Sequence, residues 1–322
     1  MDRDDLDLFE RSLRAATESA TGVELDAALD DLGWPAALAV EPDAAISLLF
    51  SLQGESGATS SAIDQVVLSA LGAPEGEDAS VILPSIGGSQ PPAELRHDRL
   101  VVAGLATAAL ADRDAAVVVA TTDAGEVVAS IPRSELTLRA VRGLDPRMGL
   151  LEVTAEAARP TDRPQALSTT WTDAVARARA RLAIAHELVG ASRTMLRMAR
   201  EHALERIQFG VPIASFQAVR HRLADTLVAI EMAAAVTDAA WLDRTPTTAL
   251  LAKATAGREA RVVAKHCQQV LAGIGFTTEH DLHLYVRRVL VLDALFGSAT
   301  SLSAELGAEL VATRRLPPLL PL

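Results

Sequence analysis

The hydrophobic pattern changes twice along this 322-residue chain, and these changes constrain the fold more than any other feature. Residues 1–80 place apolar side chains at steps of three and four, which is the period of an amphipathic helix. Residues 81–160 contain short β-branched runs between turn residues, as a small β domain does. Over residues 166–315 the helical period returns in long runs with short connections. The sequence therefore predicts a multi-domain α and β fold: a helical N-terminal domain, a middle β domain of barrel or sandwich type, and a C-terminal four-helix bundle.

Individual segments support this division. A helix is predicted over Asp4–Ala20, and the turn residues Asp123-Ala124-Gly125 predict a hairpin between two strands. The segment Arg159–Pro164 has two prolines among polar residues and predicts a linker. A long helix is predicted over Thr172–His202, which contains no proline. The other predicted elements are helices over Asp43–Ser51 and Ser60–Leu71, separated by Gly54 and Gly57; a break at Ala73–Gly76; strands over Val81–Pro84, Leu100–Leu105, Ala116–Thr121, Glu126–Ile131, Leu136–Val141 and Leu150–Glu156; helices over Phe216–Trp241, Leu250–Leu271, Asp281–Leu295 and Ser301–Val311; and a non-helical tail, Pro317–Leu322.

Composition and charge exclude several classes of function. No strand–helix–strand alternation is visible, and no Gly-x-Gly-x-x-Gly follows a strand, so a Rossmann dinucleotide domain is not supported. Aromatic residues make up 3% of the chain, too few for a nucleic-acid binder that stacks bases. The first 80 residues carry 17 acids and three bases, a net charge of −14 that would repel phosphate backbones.

The sequence also bears on the compartment. The first residues, Met1–Arg3, contain no apolar segment of a signal peptide, and no uncharged run is long enough to span a bilayer. The single cysteine excludes a disulfide framework and any multi-cysteine metal site, and it suits a reducing compartment. We therefore expect a cytoplasmic protein with neither a membrane nor a nucleic acid as partner.

Two segments of the C-terminal half, Arg206–Gln217 and Gln269–Phe276, carry the most information. In the first, Gly210-Val211-Pro212 ends one helix and begins the next. In the second, Ala272-Gly273-Ile274-Gly275 is a small-residue turn where backbone can approach a ligand closely. Arg206 offers a planar fork suited to phosphate. These residues alone leave two interpretations open: a contact to an anion or cofactor, and the simpler one, an ordinary inter-helix turn with a surface arginine.

Together the two segments resemble the acyl-CoA dehydrogenase family. That family has Arg-x-x-Phe-Gly followed by Gln at one inter-helix turn, and Gln-x-x-Gly-Gly-x-Gly-Tyr/Phe at another. Ala272 replaces the first Gly of the second motif. The resemblance is specific over residues 170–300 and architectural over residues 1–160. The matching residues are Arg206, Phe209, Gly210 and Gln217 in the first motif, Gln269, Gly273, Gly275 and Phe276 in the second, and Leu223-Ala224-Asp225 and Lys253-Ala254 between them.

The resemblance implies α,β-dehydrogenation of a CoA thioester with FAD as cofactor. In this family a Glu removes the α-proton while the β-hydrogen leaves as hydride to the flavin. The two motifs contact the ADP half of an FAD that a neighbouring subunit holds, and a cationic fork near a helix start suits a diphosphate. The candidate cofactor-binding residues are Arg206, which would contact the diphosphate, Phe209, Gln217, Gln269 and Gly273.

The catalytic base is the main departure from the family. Most members hold the Glu in a Tyr-Glu-Gly-Thr motif, where this chain has Phe296. A minority place it 26 residues before the Arg of the first motif, where this chain has Ala180. Neither side chain can accept a proton, so no catalytic residue is predicted. The Thr-Glu-Pro-Gly-x-Gly-Ser-Asp loop is replaced by Ile82–Ser89, and the Trp-Ile-x-Asn motif is missing.

A chain with the ADP contacts but without the base is similar to one subunit of heteromeric acyl-CoA dehydrogenases. In the α2β2 enzymes of actinobacterial steroid side-chain degradation, one chain carries the Glu and its homologue completes the flavin site across the interface. The resemblance implies a homologous catalytic partner, with the steroid-derived acyl-CoA bound in the partner's site.

Two alternatives stay open at this point. The chain could be a self-sufficient homotetrameric dehydrogenase with a relocated base, for which Glu187 or Asp293 would be available. It could also be a scaffold or ligand-binding protein without flavin.

His280 and His283 have the spacing of a metal-ligand pair but no third ligand in register, so no metal is predicted.

Overall fold

Five helices lie within residues 3–72, the first described part of the chain. The computed structural model describes residues 3–72, 79–162, 164–166 and 173–314. The helices are α1 (Arg3–Ser19), α2 (Val23–Asp31), α3 (Trp34–Val40), α4 (Pro42–Ser56) and α5 (Ala62–Leu71). The predictions for α1 and α5 are confirmed to within two residues, whereas α2 and α3 had no predicted counterpart. The predicted end of α4 at Ser51 is wrong, because the helix continues through Gly54 and ends at Gly57, whose φ of 74° is left-handed.

A single apolar cluster holds α1 to α4 together. Trp34 is completely buried, and its indole N–H donates to the carbonyl oxygen of Ala45 at 3.0 Å. Leu13, Leu25 and Ile46 are also completely buried in this cluster. Burial of such side chains stabilises the packed helices by about 1.5–3 kcal/mol each.

One eight-stranded sheet follows the helices. Its strands are β1 (Ala79–Ile82), β2 (Ala93–Arg96), β3 (Arg99–Ala106), β4 (Ala115–Thr122), β5 (Gly125–Pro132), β6 (Thr137–Ala140), β7 (Leu151–Ala158) and β8 (Gln165–Ala166). The predicted hairpin is confirmed, since Thr122 pairs with Gly125 around a two-residue turn. Both β1 and β2 pair in parallel with β4, and the remaining pairs are antiparallel. The segment predicted as a linker, Arg159–Pro164, lies between β7 and β8.

Five further helices complete the described chain. They are α6 (Asp173–Glu205), α7 (Gln217–Asp243), α8 (Pro246–Leu271), α9 (Leu282–Ala294) and α10 (Ala299–Thr313). All five match predicted helices. Helices α6 to α9 pack as the predicted four-helix bundle, and α10 packs against α8. At the start of α8 the side chain and backbone of Thr245 pair reciprocally with Thr248, with Pro246 as the first helical residue.

The order of helices, then sheet, then helices agrees with the predicted fold class. The break at Ala73–Gly76 and the tail Pro317–Leu322 fall outside the described residues, and the domain boundaries, 1–80, 81–160 and 166–315, stay a prediction. One described stretch, Leu282–Thr313, is apolar and long enough to cross a membrane by composition alone. A turn at 295–298 divides it into α9, which packs in the bundle, and α10, which packs against α8.

Candidate functional site

The two sequence motifs meet at one end of the bundle. After α6, β9 (Ile207–Gln208) and β10 (Val211–Pro212) form a small hairpin, closed by the Ile213 N–H, which donates to the Arg206 carbonyl at 2.8 Å. A 3₁₀ turn, Ala272–Phe276, follows the end of α8. An open groove of about 410 Å³, here called the hairpin groove, lies between the hairpin, the start of α7 and the end of α8. The groove is lined by Gln208, Phe209, Ile213, Phe216, Ala218, Val219, Arg222, Gln269 and Val270.

The structure brings two of the five candidate cofactor residues, Phe209 and Gln269, together in the wall of the hairpin groove. Arg206, Gln217 and Gly273 are exposed in the same two segments but do not line the groove. A Cβ added to Gly273 would meet no atom within 4 Å, so packing within the chain does not require glycine there. The backbone at this turn is therefore open to close approach by a ligand or a partner.

Aromatic side chains are unusually exposed around the groove. Phe209 forms the hairpin tip in a left-handed conformation with φ 51°, and 92% of it is exposed. Its ring meets Phe216 edge to face, with the centroids 6.1 Å apart. Phe276, on the turn after α8, is 71% exposed. Large apolar side chains exposed together mark a surface that a ligand or partner covers.

The chemistry of the groove fits the adenosine diphosphate half of a dinucleotide. Gln208 and Gln269 supply amide donors and acceptors, Arg222 supplies a guanidinium, and Phe209 and Phe216 supply ring faces and edges. Planar bases and anionic phosphates bind these groups well.

The two positions at which the resemblance places a catalytic Glu are buried and packed. Ala180 is completely buried, Phe296 is 3% exposed, and both belong to the same apolar cluster. The void beside Phe296 measures about 20 Å³, roughly the space of one water, and is walled by residues such as Leu83 and Ala176. A flavin ring or an acyl chain does not fit there.

Two buried cations hold the loop around Phe296 in place. The Arg181 guanidinium donates to the Phe296 carbonyl at 3.2 Å, and the Lys253 ammonium donates to the carbonyls of Asp293 and Gly297 at 3.0 and 3.2 Å. Burial lowers the pKa of Lys253 to about 7. Phe296 itself has a left-handed φ of 54°, a conformation that these contacts maintain.

The two carboxylates available as relocated bases have structural partners. Glu187 is buried against Arg288, whose Nε donates to it at 2.8 Å; burial raises the pKa of Glu187, and the charge of Arg288 opposes that rise. Asp293 accepts from Arg261 and from the backbone N–H of Ala299, each at 2.9 Å, so it caps the start of α10. Both carboxylates are thus occupied in holding helices together.

A larger cavity of about 870 Å³ lies between the sheet and α9. Its apolar wall includes Leu105 and Val291. The two acids that line it are also engaged: Asp145 pairs with Arg147 at 3.0 Å, and Glu152 pairs with Arg139. Neither is free to act as a base.

No metal centre is visible in the described residues. No group of three or more His, Cys, Asp or Glu side chains is placed there to hold a metal ion. His280 instead accepts the backbone N–H of Leu282 at 3.1 Å, and Nδ1 of His283 lies 2.9 Å from the His280 carbonyl. Cys267 is buried, and burial raises its pKa to about 12, so it is not a nucleophile.

Comparison with known proteins identifies the family. Residues 175–310 match the family model for the acyl-CoA dehydrogenase C-terminal domain. The acyl-CoA dehydrogenase IpdE2 of Mycobacterium tuberculosis is 30% identical over 247 residues, which is 69% of this chain and 75% of the relative. The chain belongs to the acyl-CoA dehydrogenase family.

Solved structures show that the family fold extends along the whole chain. A variant of the Tcur3481–Tcur3483 steroid ACAD has a TM-score of 0.80 at 21% identity, covering 97% of this chain and 98% of that one. The ChsE4–ChsE5 complex of M. tuberculosis has a TM-score of 0.78 at 21% identity, covering 98% of each. A glutaryl-CoA dehydrogenase of M. smegmatis, solved with FADH2, has a TM-score of 0.76 at 16% identity, covering 98% and 97%.

Sequence reasoning did not single out Arg222, although it lines the groove. The only sequence signal is helical spacing: Ala218, Val219 and Arg222 lie at i, i+1 and i+4 and share one face of α7. The spacing alone does not show that this face of α7 lies opposite the end of α8, which the structure shows.

Proposed function

We propose that this chain is the non-catalytic subunit of a heteromeric, FAD-dependent acyl-CoA dehydrogenase that oxidises a steroid-derived CoA thioester. Family membership supports oxidation at a CH–CH bond. Two structural neighbours, a steroid ACAD and a two-chain complex, support the substrate class and the heteromeric assembly. The cytoplasmic location expected from the sequence belongs to the same proposal.

The observation that carries the proposal is the packed interior at Ala180 and Phe296. A proton acceptor is needed beside the α-carbon of the thioester, and both family positions hold side chains without that capacity. The void of about 20 Å³ beside Phe296 is too small for a substrate, and the two acids that line the larger cavity of about 870 Å³ between the sheet and α9 are held in ion pairs. In this proposal the Glu comes from a homologous catalytic partner, in whose site the acyl-CoA binds.

The role of this chain would be to complete the partner's cofactor site. FAD, when bound, accepts the hydride that leaves the β-carbon. Arg206 would place positive charge near the diphosphate, while Gln217, Gln269 and the open backbone at Gly273 would contact the nucleotide. Phe209 would pack against its adenosine part. These contacts fix the cofactor, and they take no part in proton transfer.

The exposed apolar surface around the hairpin groove supports a partner on this side. Ile207 is 53% exposed, and Phe209 and Phe276 more so. On α7, Leu227 and Val228 are 49% and 67% exposed. A partner that covers these side chains would also enclose the groove and exclude water from the cofactor.

Co-expression with a homologous chain that carries the Glu tests the proposal. We expect the two chains to co-purify with bound flavin and to oxidise acyl-CoA, while this chain alone is inactive. Arg206→Ala should strip flavin from the complex without dissociating the chains. Arg197→Ala, which removes an exposed arginine of α6 away from the hairpin groove, is the matched control.

Two results would overturn the proposal in different directions. Dehydrogenase activity of the isolated chain, abolished by Glu187→Gln in a variant that still folds, would establish a self-sufficient enzyme. Absence of flavin from every combination of chains would establish a scaffold or ligand-binding protein without flavin.

A further inference from the structure

The cavity of about 870 Å³ between the sheet and α9 takes no part in the proposed function. Its volume lies within the range of about 300–1,000 Å³ that small-molecule sites occupy. Both acids that line it are held in ion pairs, so it offers no free base. The cavity therefore has the size of a binding site without the groups of a catalytic one.

The floor of the cavity is a flat patch of two neighbouring strands. Ala103 on β3 pairs with Thr154 on β7, and Leu105 pairs with Glu152. Side chains two residues apart on a strand point to the same face, so these four residues form two cross-strand rows. Ala103 is exposed although it lies inside a strand, and its methyl group leaves the space above it open.

Helix α9 supplies an apolar wall opposite this floor. Leu290, Val291 and Ala294 lie at i, i+1 and i+4 and share one face of the helix. Each of them is only half-buried, although α9 belongs to the bundle. A ligand that removes this apolar surface from water gains free energy from its burial.

Hydrogen bonds fix both ends of α9, so the cavity is preformed. At one end, the Gly87 N–H, on the loop before β2, donates to the Ala294 carbonyl at 2.8 Å. At the other end, the Arg147 guanidinium, on the turn before β7, donates to the Leu284 carbonyl at 3.2 Å. A ligand can enter such a cavity without the cost of ordering its walls.

The polar groups of the lining leave few positions for a polar ligand. Besides the paired acids, the Ser85 hydroxyl is occupied, since it donates to the Ala103 carbonyl at 2.9 Å. Thr154 is exposed, and its hydroxyl has no hydrogen-bond partner among the described residues. The remaining cation of the lining, Arg142, is exposed on the loop after β6. A ring with a polar edge, such as a flavin, would leave several groups unpaired here, whereas an apolar ring system with one acceptor would not.

We propose that this cavity binds the fused-ring part of a steroid, with the ring faces between α9 and the sheet and the Thr154 hydroxyl donating to an oxygen on the ring edge. The choice of a steroid rests on the proposed function, in which the complex oxidises a steroid-derived thioester. The cavity and its apolar walls do not depend on that function. Because a ligand of the folded state stabilises it, steroid would stabilise this subunit.

Calorimetric titration of the full chain with testosterone, a steroid ketone, tests the proposal. Riboflavin is the second probe, a planar ring with a polar edge. We expect saturable binding of testosterone at a single site and weaker binding of riboflavin. Ala103→Phe fills the floor of the cavity and should weaken testosterone binding about 10-fold or more. Thr154→Val keeps the shape but removes the hydroxyl, and should weaken it about 5-fold.

Ala157→Phe is the matched control. Ala157 is exposed on β7 and does not line the cavity. The substitution should change the dissociation constant of testosterone less than about twofold. Circular dichroism of each variant shows whether the fold is kept, and if Ala103→Phe does not fold, Thr154→Val decides.

The outcomes separate this inference from the proposed function. A loss of testosterone affinity in Ala103→Phe and Thr154→Val but not in Ala157→Phe supports the site. Absence of saturable testosterone binding, unchanged affinity in Thr154→Val, or tighter binding of riboflavin overturns the inference. The proposed function fails on a different measurement: a co-purified complex that holds no flavin or does not oxidise acyl-CoA.

Discussion

Asp64 is a buried carboxyl group at the point where α5 meets the sheet. Its Oδ2 accepts hydrogen bonds from the hydroxyls of Ser80 and Thr107, the second at 2.8 Å. Its Oδ1 has no hydrogen-bond partner in the described part of the chain. Burial raises the pKa of Asp64 to about 7, although both hydroxyls act to lower it. The folded protein thus holds a proton that the unfolded chain releases.

This shift predicts a pH dependence of stability. Because the folded-state pKa lies above the ordinary 3.8, the stabilising contribution of Asp64 is complete below that value and is lost as the pH rises through about 7. In urea unfolding, the free energy of unfolding of the wild type relative to that of Asp64→Asn should fall between pH 5 and pH 8. Comparison with the variant cancels the contributions of Lys253 and His186, whose lowered pKa values act in the opposite direction. Asp123→Asn, in the exposed hairpin turn, should follow the wild-type profile. Parallel profiles for wild type and Asp64→Asn would contradict the prediction.

Glu187 and Arg288 form a buried ion pair that links the bundle to the N-terminal helices. Arg288 also donates to Ala58 and Gly57 carbonyls and to the Thr59 hydroxyl. Removing one partner leaves the other charge buried, so Glu187→Gln should lower the free energy of unfolding by about 3–5 kcal/mol.

A surface pair provides the comparison. Glu201→Gln breaks the exposed pair with Arg197 on α6 and should change stability by less than about 1 kcal/mol. Chemical denaturation measures the free energy of unfolding of the Glu187→Gln and Glu201→Gln variants. The folded Glu187→Gln complex should keep its dehydrogenase activity, and a selective loss of activity without a loss of stability would identify Glu187 as a base instead.

At the scale of elements, two glycines set the crossing of α4 and α6. A Cβ at Gly54 would lie 2.1 Å from the Glu187 carbonyl, and one at Gly190 would lie 2.1 Å from the Ser51 carbonyl. Both contacts are with backbone, so the helices would have to separate. We predict that Gly190→Ala destabilises the protein by about 1–3 kcal/mol in urea unfolding, despite the better helix propensity of alanine.

Gly307→Ala tests the propensity effect alone. Gly307 is exposed in α10, where an added Cβ meets nothing within 4 Å, so the substitution should stabilise by about 0.5–1 kcal/mol. If Gly190→Ala and Gly307→Ala both destabilised the protein, or if neither did, the close approach of α4 and α6 would not require glycine.

Gly54 also shows where the prediction of helices and strands from sequence fails. Periodicity located α6 to α10 well, because long amphipathic runs carry many residues of signal. It placed a helix end near Gly54, since glycine usually interrupts a helix, yet here glycine admits a neighbouring helix. The short elements α2, α3, β2 and β8 were missed because few residues define them.

The candidate site, like the fold, could be predicted only in part from the sequence. Spacing along the chain identified the two segments that meet at the groove, and the substitution of Phe296 and Ala180 indicated a missing base. Sequence could not show that Arg222 rather than Arg206 lines the groove, because that depends on which face of α7 meets α8. Nor could it show that the space beside Phe296 is filled.

At the scale of the whole molecule, the interior and the exposed end have opposite character. The cluster around Ala180 and Phe296 excludes water and ligands, whereas the hairpin groove is open and carries uncovered aromatic side chains. In the function that we propose, such a chain supplies part of a site and a second chain supplies the rest. Its cofactor affinity should therefore be a property of the assembly.

Thermal unfolding of the complex and of the isolated chain tests this dependence. A ligand that binds only the folded state stabilises it by about 2.7 kcal/mol at 100 times its dissociation constant, which corresponds to a rise in Tm on the order of 5 °C. FAD should raise the Tm of the complex by this amount and that of the isolated chain by much less, because the isolated chain holds the groove without the partner's surface. In the Arg206→Ala complex the rise should shrink. If FAD raised the Tm of the isolated chain as far as that of the complex, the chain would contain a complete site of its own, and the half-site interpretation would fail.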